Sequence, residues 1–305
     1  MLRRRRFTAR ASVDWINQGG RRFESIVSAP LRRKIKDRLG LLGAHDSPYF
    51  RLTPPNTRLD EDHGPPDFVG IGVQRAGTSW WFNLLKSQPG IYHRSVLQIH
   101  KERQYFSHLA FADMDKERMS DEYREWFPKI VGHITGEWTP DYFYYSWVPA
   151  QLRDVAPDAR LLLILRDPIE RMLSGAIHVA ALNRGAIPPA DVIQDAFQRG
   201  LYALQLRNWL AHFPKEQLYI LQYEKCLVDP IGELKRTVEF LGAEFDRSQL
   251  DAVHSRLNAT RGRKPDLAGQ VRERFKDLYS ADIRELVNIL PSIDLELWPN
   301  FRAES

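Results

Sequence analysis

The apolar run Phe68-Val69-Gly70-Ile71-Gly72-Val73, followed at once by Gln74-Arg75-Ala76-Gly77-Thr78-Ser79, constrains this chain more than any other stretch. The run suits a short strand buried on both faces, and from Thr78 to Ser87 the apolar positions Trp81, Leu84 and Leu85 recur at helical spacing. A strand, a glycine-bearing loop and a helix in that order make an anion cradle. Backbone N–H groups converge at the helix start, where the helix dipole favours negative charge. Gly72 and Gly77 have the Gly-x-x-x-x-Gly spacing of a nucleotide-phosphate loop, with Ser79 in the place of its hydroxyl residue. The lysine of that loop is missing: Thr78 holds its position, and the nearest cation is Arg75.

A second unit of the same kind follows. Arg160-Leu161-Leu162-Leu163-Ile164-Leu165 reads as a strand, Arg166-Asp167-Pro168 as the turn, and Ile169 to Val179 as a helix for which Pro168 suits the first turn. Helical patterns over Trp147–Val155, Leu201–His212, Ile231–Leu241 and Leu267–Leu290, and a strand over Gln217–Gln222, complete the alternation. The expected fold is therefore α/β: a three-layer, P-loop-type arrangement with a mostly parallel sheet flanked by helices. Its ligands should gather beyond the carboxyl ends of the strands. A nucleotide triphosphatase ends its second strand in an aspartate that holds Mg²⁺. Here Arg166 stands there instead, adding a phosphate clamp and repelling a metal. Two phosphate sites and no magnesium site suit a donor with separate 5′ and 3′ anionic groups.

Charge divides the chain unevenly. Residues 1–38 carry twelve Lys/Arg against three Asp/Glu, net +9, so the remainder is −4 in a chain whose total is +5. The net positive charge belongs to the tail, and the acidic remainder lacks the broad basic face of a nucleic-acid binder. The tail lacks the apolar core and cleavage pattern of a secretory signal. It reads as a solvated extension over 1–45, with peripheral contact to anionic lipid or organelle targeting as the alternatives. Residues 46–66, rich in Pro, Asp and Gly, form a linker, and 67–305 the catalytic domain. The longest aliphatic run is a strand's length, far short of the roughly 20 residues of a membrane span. One cysteine, Cys226, permits no internal disulfide and fits a reducing, cytoplasmic setting.

The motifs now resemble a known family. Gly72 to Trp80 is similar to the 5′-phosphosulfate loop of sulfotransferases that use 3′-phosphoadenylyl sulfate (PAPS), and Leu161 to Ser174 resembles their 3′-phosphate motif. Arg199-Gly200-Leu201-Tyr202, with Trp209-Leu210 and Phe213-Pro214, adds to the likeness. Arg261-Gly262-Arg263-Lys264-Pro265 looks like the loop that closes over the donor in the heparan-sulfate-type branch. The resemblance, from about Asp67 to Leu290, implies that Arg75, Ala76, Gly77, Thr78 and Ser79 hold the 5′-phosphosulfate, Arg166 and Ser174 the 3′-phosphate, and Arg261, Gly262, Arg263, Lys264 and Pro265 cover the donor. PAPS is then the donor, PAP the product, and no metal is required.

Transfer to a hydroxyl or amine also needs a base. His100-Lys101-Glu102-Arg103-Gln104-Tyr105-Phe106 offers a His and a Glu, and Glu102 with Tyr105-Phe106 is similar to the Glu-x-x-Phe-Phe stretch that supplies the base in the heparan-sulfate-type branch. Glu102 is the expected base, with Arg75 as the catalytic cation. Lys101 either polarises the transferring group or is a solvated surface lysine. Gly136-Glu137-Trp138-Thr139-Pro140-Asp141-Tyr142-Phe143 resembles a further segment of that branch, with Trp138 in place of a lysine. Trp138 either stacks on an acceptor or packs in the core. Glu170 and Arg171 read as solvated helix charges. The expected acceptor is a carbohydrate or a small molecule. The competing functions are a P-loop kinase or nucleotide hydrolase, disfavoured by the missing lysine and by Arg166, and a non-catalytic PAP-binding scaffold.

Overall fold

A strand that is hydrogen-bonded on both sides and covered on both faces has no position left for a polar side chain, and Leu161–Leu165 meets that demand with every residue at most 1% exposed. The computed structural model describes residues 62–92, 101–107, 116–182, 190–250 and 269–302. Their elements are β1 (Phe68–Gly72), α1 (Thr78–Lys86), β2 (Ile91–Tyr92), α2 (Lys116–Arg124), β3 (Ile134–Trp138), α3 (Val148–Val155), β4 (Arg160–Leu165) and α4 (Pro168–Leu182). There follow α5 (Ala190–Gln198), α6 (Tyr202–Leu210), β5 (Leu218–Gln222), α7 (Tyr223–Val228), α8 (Pro230–Phe240) and α9 (Gly269–Ile289). The five strands run in the order β2-β3-β1-β4-β5, and every pairing is parallel. Helices flank the sheet: α9 packs on α6 and α4, α4 on α5, and α1 on α8. The expected α/β fold is the one found.

The chain leaves β1 toward β3 on one side and returns to β4 on the other, so the loops after β1 and β4 open next to each other at the switch in strand order. Both anion loops of the sequence sit there. Strand β3 was not expected as a strand, because Ile-Thr-Gly-Glu-Trp carries a glycine and a carboxylate where an apolar run would be looked for. Tertiary contacts make it one. Gly136 lies so close to β1 that a Cβ would fall 2.3 Å from the Phe68 carbonyl oxygen, so only glycine fits. Gly70 on β1 opens the space for the Trp138 indole, which is fully buried and donates from Nε1 to the Gly72 carbonyl at 3.3 Å. Trp138 is therefore a core residue.

Glu137 is buried completely yet fully partnered. Its Oε1 accepts from the Tyr123 and Tyr142 hydroxyls at 2.7 and 3.0 Å, and its Oε2 from the Thr139 hydroxyl at 2.6 Å and the Arg103 amide at 2.9 Å. The Arg103 guanidinium, itself buried, stacks over Trp126 with 4.5 Å from Cζ to the ring centre and supplies the neighbouring positive charge. These contacts tie α2, β3 and the segment 101–107 into one block.

Arg171 overturns the expectation of a solvated helix charge. It is 1% exposed, and its guanidinium donates to the Ala196 carbonyl at the end of α5 beside Tyr279 of α9. Glu170 is also largely covered, 3.4 Å from the Arg272 guanidinium. The tail 1–45 and most of the linker lie outside the described residues. The linker's last part is fixed by backbone bonds from Gly64 N to the Phe127 carbonyl and from Lys129 N to the Asp62 carbonyl. No helix among the described residues is long and apolar enough to cross a membrane.

Removing the Glu137 carboxylate leaves four donors without their acceptor and a buried guanidinium without its neighbouring negative charge, so Glu137→Ala should lose about 3–5 kcal/mol of stability by chemical denaturation. Burial raises the Glu137 carboxyl above its ordinary value, against the hydrogen bonds of Thr139 and Tyr123 and the Arg103 amide. A carboxyl raised on folding contributes fully below its unfolded pKa of about 4.3, and that contribution is lost as pH rises through the folded value. The stability of the wild type relative to Glu137→Gln should accordingly fall as pH rises from about 4, measured as the difference in denaturation midpoints.

Candidate functional site

The loop between β1 and α1 is shaped by two left-handed residues, Arg75 with φ 70° and Gly77 with φ 82°. Gly77 has a second reason to be glycine, since a Cβ there would lie 2.8 Å from the Tyr223 ring. It is the N-cap of α1, and no side chain caps that helix start, so the first N–H groups face the loop. An anion is the natural occupant of such a turn. Thr78 and Ser79 open the helix, Thr78 buried and Ser79 exposed. Ala76 is fully buried against the core and holds the loop by its amide, which donates to the Val73 carbonyl at 3.2 Å.

Two guanidinium groups converge on this loop. Arg166, at the end of β4, donates from one terminal nitrogen to the Arg75 carbonyl at 2.9 Å and lies over the Tyr223 ring, 4.8 Å from its centre. Burial and the Arg166 charge hold the Arg75 guanidinium below its usual pKa, and the buried Arg75 Nε has no hydrogen-bond partner among the described residues. Neither arginine has a carboxylate within 4.0 Å among the described residues. Arg75 also reaches α4: its Cγ is 3.9 Å from where a Gly175 Cβ would be, one residue beyond Ser174, and its charge lowers the pKa of His178 alongside burial. Arg75, Arg166 and the Ser174 turn are thereby brought to one place.

Asp167 explains why Arg166 can sit there. Its buried carboxylate caps α4, with Oδ1 accepting from the amides of Ile169 at 2.9 Å and Glu170 at 3.1 Å. Oδ2 accepts from Asn300 N at 3.0 Å and Asn300 Nδ2 at 2.8 Å. The Tyr202 hydroxyl holds the Arg166 carbonyl at 2.8 Å. The cap was readable from Asp-Pro at a helix start; Asn300, 133 positions away, gave no local signal.

Facing the loop is the segment 101–107, pinned to the end of β3. Trp138 N donates to the Lys101 carbonyl at 2.9 Å, and Gln104 N to the Thr139 hydroxyl at 3.1 Å. Lys101 is not a surface lysine. Its Nζ donates to Thr78 Oγ1 at 2.9 Å and Ser79 Oγ at 3.2 Å and lies 3.3 Å from Glu102 Oε1. Burial pushes its ammonium down to about 8, with Glu102 and then Asp141 holding it up. Glu102 is thus beside the anion loop, its other oxygen accepting from Gln104 Nε2 at 3.3 Å.

From Glu102 a polar row runs outward. Gln104 Nε2 also donates to Asp141 Oδ2 at 3.0 Å, Asp141 pairs with Arg199 at 2.6 Å, and Arg199 lies over the Tyr144 ring at 4.3 Å. Tyr142 and Phe143 are core, while Tyr144 and Tyr145 are only partly covered and form a wall. The sequence did not single out Gln104, Asp141 or Tyr223, whose roles depend on long-range contacts. Arg261, Gly262, Arg263, Lys264 and Pro265, and the rival base His100, lie outside the described residues. Among the described residues no group of three or more His, Cys, Asp or Glu is placed to hold a metal.

Known proteins resemble this chain in sequence and in fold. Heparan sulfate glucosamine 3-O-sulfotransferase 3B1 of Mus musculus is 30% identical over 211 residues, 65% of this chain and 50% of the relative. Heparan sulfate glucosamine 3-O-sulfotransferase 6 of the same species is 29% identical over 209 residues, 65% of this chain and 57% of the relative. The chain thus spans about half the length of the curated relatives it matches. Among solved structures, a sulfotransferase from Alicyclobacillus acidocaldarius superposes with a TM-score of 0.60 at 23% identity, covering 77% of this chain and 99% of that one. The sulfotransferase STF9 from Mycobacterium avium gives 0.52 at 14% identity, covering 79% of each chain. Both share the fold. The sulfotransferase domain model matches residues 65–277, which contain β1 with its loop, Glu102, Arg166 and Ser174, and the chain belongs to that family.

Proposed function

We propose that this chain is a sulfotransferase that moves the sulfuryl group of PAPS to a hydroxyl or amine of an acceptor, a carbohydrate in the first instance. One observation carries the donor reading: Arg75 and Arg166 adjoin at one loop with no carboxylate partner among the described residues. Like charges held side by side, one buried and one half-buried, are costly, and a ligand with two anionic groups offsets that cost. The residues fit such a ligand. The uncapped start of α1, the Gly77 turn and Arg75 would hold the 5′ side, and Arg166 with Ser174 the 3′-phosphate. The carbohydrate reading is supported by the heparan sulfate named for the relatives and by the Gln104–Asp141–Arg199 row with its Tyr144 wall beside Glu102.

The donor supplies an electrophilic sulfur on a phosphate leaving group. Glu102 takes the proton of the acceptor as its oxygen or nitrogen attacks the sulfur in line with the breaking bond. Arg75 and the α1 amides offset the charge that grows on the departing phosphate oxygen, a task that needs no metal in this arrangement. Gln104, bound to Glu102 and Asp141 at once, orients the carboxylate toward the acceptor.

Calorimetric titration tests the donor reading: PAP should bind without Mg²⁺, and tight binding of ATP with Mg²⁺ but none of PAP overturns it. Gly77→Ala places a side chain at φ 82° and against Tyr223. The left-handed backbone alone costs roughly 1–2 kcal/mol, so PAP affinity should drop about tenfold or more in a protein that stays folded. Glu102→Gln should lower kcat about 10²- to 10⁴-fold while PAP affinity is unchanged; retained turnover in both Glu102→Gln and Glu102→Ala moves the role to His100. Transfer of label from PAPS to pooled carbohydrate, lipid, peptide and small-molecule acceptors identifies the acceptor class.

A further inference from the structure

An ammonium is aimed at the anion loop from the opposite wall. Lys101 Nζ reaches the hydroxyls of Thr78 at 2.9 Å and Ser79 at 3.2 Å, the first two residues of α1, and the Glu102 carboxylate at 3.3 Å. Its three N–H bonds are directed at three oxygens, of which one carries charge. The Lys101 side chain is 13% exposed, so water compensates little of its charge. The carboxylate beside it is the one group in the row assigned to accept a proton. A buried cation held mainly by two neutral hydroxyls at an anion loop is left with charge to offer an incoming ligand.

The lysine is also fixed in place. The Lys101 carbonyl accepts from Trp138 N at 2.9 Å, and the amides of Arg103 and Gln104, just beyond Glu102, donate to Glu137 at 2.9 Å and Thr139 at 3.1 Å. The backbone that carries Lys101 thus belongs to the end of β3, while its amine bridges to α1. A cation preorganised in this way need not be reorganised when a negative charge appears.

We propose that Lys101 is a donor-binding cation whose ammonium contacts the anionic 5′ group of the donor between the α1 start and Glu102. This rests on the reading of the loop as the PAPS site. In that position Lys101 lies between the leaving oxygen, which keeps the electron pair of the broken S–O bond, and Glu102, which takes the acceptor proton as the new bond to sulfur forms. Lys101 keeps its own proton throughout. It supplies positive charge from the side of the loop opposite Arg166, so the 5′ group is met by Arg75 and Lys101 and the 3′-phosphate by Arg166.

The test compares two ligands on the full chain: PAP, with a 5′- and a 3′-phosphate, and adenosine 3′-monophosphate, which lacks the 5′ group. Lys101→Met should weaken PAP binding by roughly 10- to 100-fold, the range of a charge-assisted contact. It should leave the affinity for adenosine 3′-monophosphate within about twofold. Lys101→Arg should recover much of the PAP affinity. If Lys101→Met binds PAP as the wild type does, the inference fails and the donor reading stands. Equal weakening of both ligands, in a variant that melts normally or not, makes Lys101 a structural residue and overturns the inference. Absence of PAP binding in the wild type removes the donor reading itself, and the inference with it.

Discussion

The buried Glu137 carboxylate holds together the parts of the site that the sheet alone would leave apart. Burying it without partners would be costly, and four donors from α2, the β3–α3 loop and the segment 101–107 offset that cost. Because one donor is the Arg103 amide, the same bonds that satisfy the carboxylate fix the backbone next to Lys101 and Glu102. The residues that face the anion loop are therefore placed by a group that does not touch it. Trp138 completes the block, filling the space above Gly70 and holding the Lys101 carbonyl.

The opposite wall is organised by the second buried carboxylate. Asp167 caps α4 and accepts from both the backbone and the side chain of Asn300, so the end of β4, the start of α4 and the turn at Asn300 are joined. Burial raises its carboxyl above the ordinary value, against the Asn300 and Glu170 bonds. Next to this rigid corner stands Arg166, whose charge is left unspent by any carboxylate among the described residues. Carboxylates are hydrogen-bonded within the scaffold, beside arginines with no carboxylate partner among the described residues, which leaves positive charge at this corner.

Glu102, Gln104, Asp141 and Arg199 form a continuous hydrogen-bonded row that ends on Tyr144, and Arg199 is flanked by Asp141 and Asp195, at 2.6 and 2.7 Å. Arg199 thus orders carboxylates and an aromatic face and is itself neutralised. The row presents carboxylate oxygens and a ring surface side by side.

Local sequence was enough for β1, β4 and β5 and for α1, α4 and α8, because an apolar run buried on both faces and a helical apolar stripe each declare themselves within a few residues. The anion loop was equally legible, since Gly77 and the α1 start are neighbours in the chain. The segment Ile134–Trp138 was not legible as a strand, as its glycine and its carboxylate make sense only against Phe68, Tyr123 and Tyr142. Arg171 looked like a solvated charge because the carbonyl that receives it comes from the end of another helix. Lys101 was ambiguous for the same reason, its partners lying 22 and 23 positions earlier. The sequence by itself determined which chemical groups the chain carries and the local geometry that can bind an anion. Tertiary structure alone decided which of those charges are neutralised and which are left facing the loop, because that depends on contacts between segments far apart in the chain.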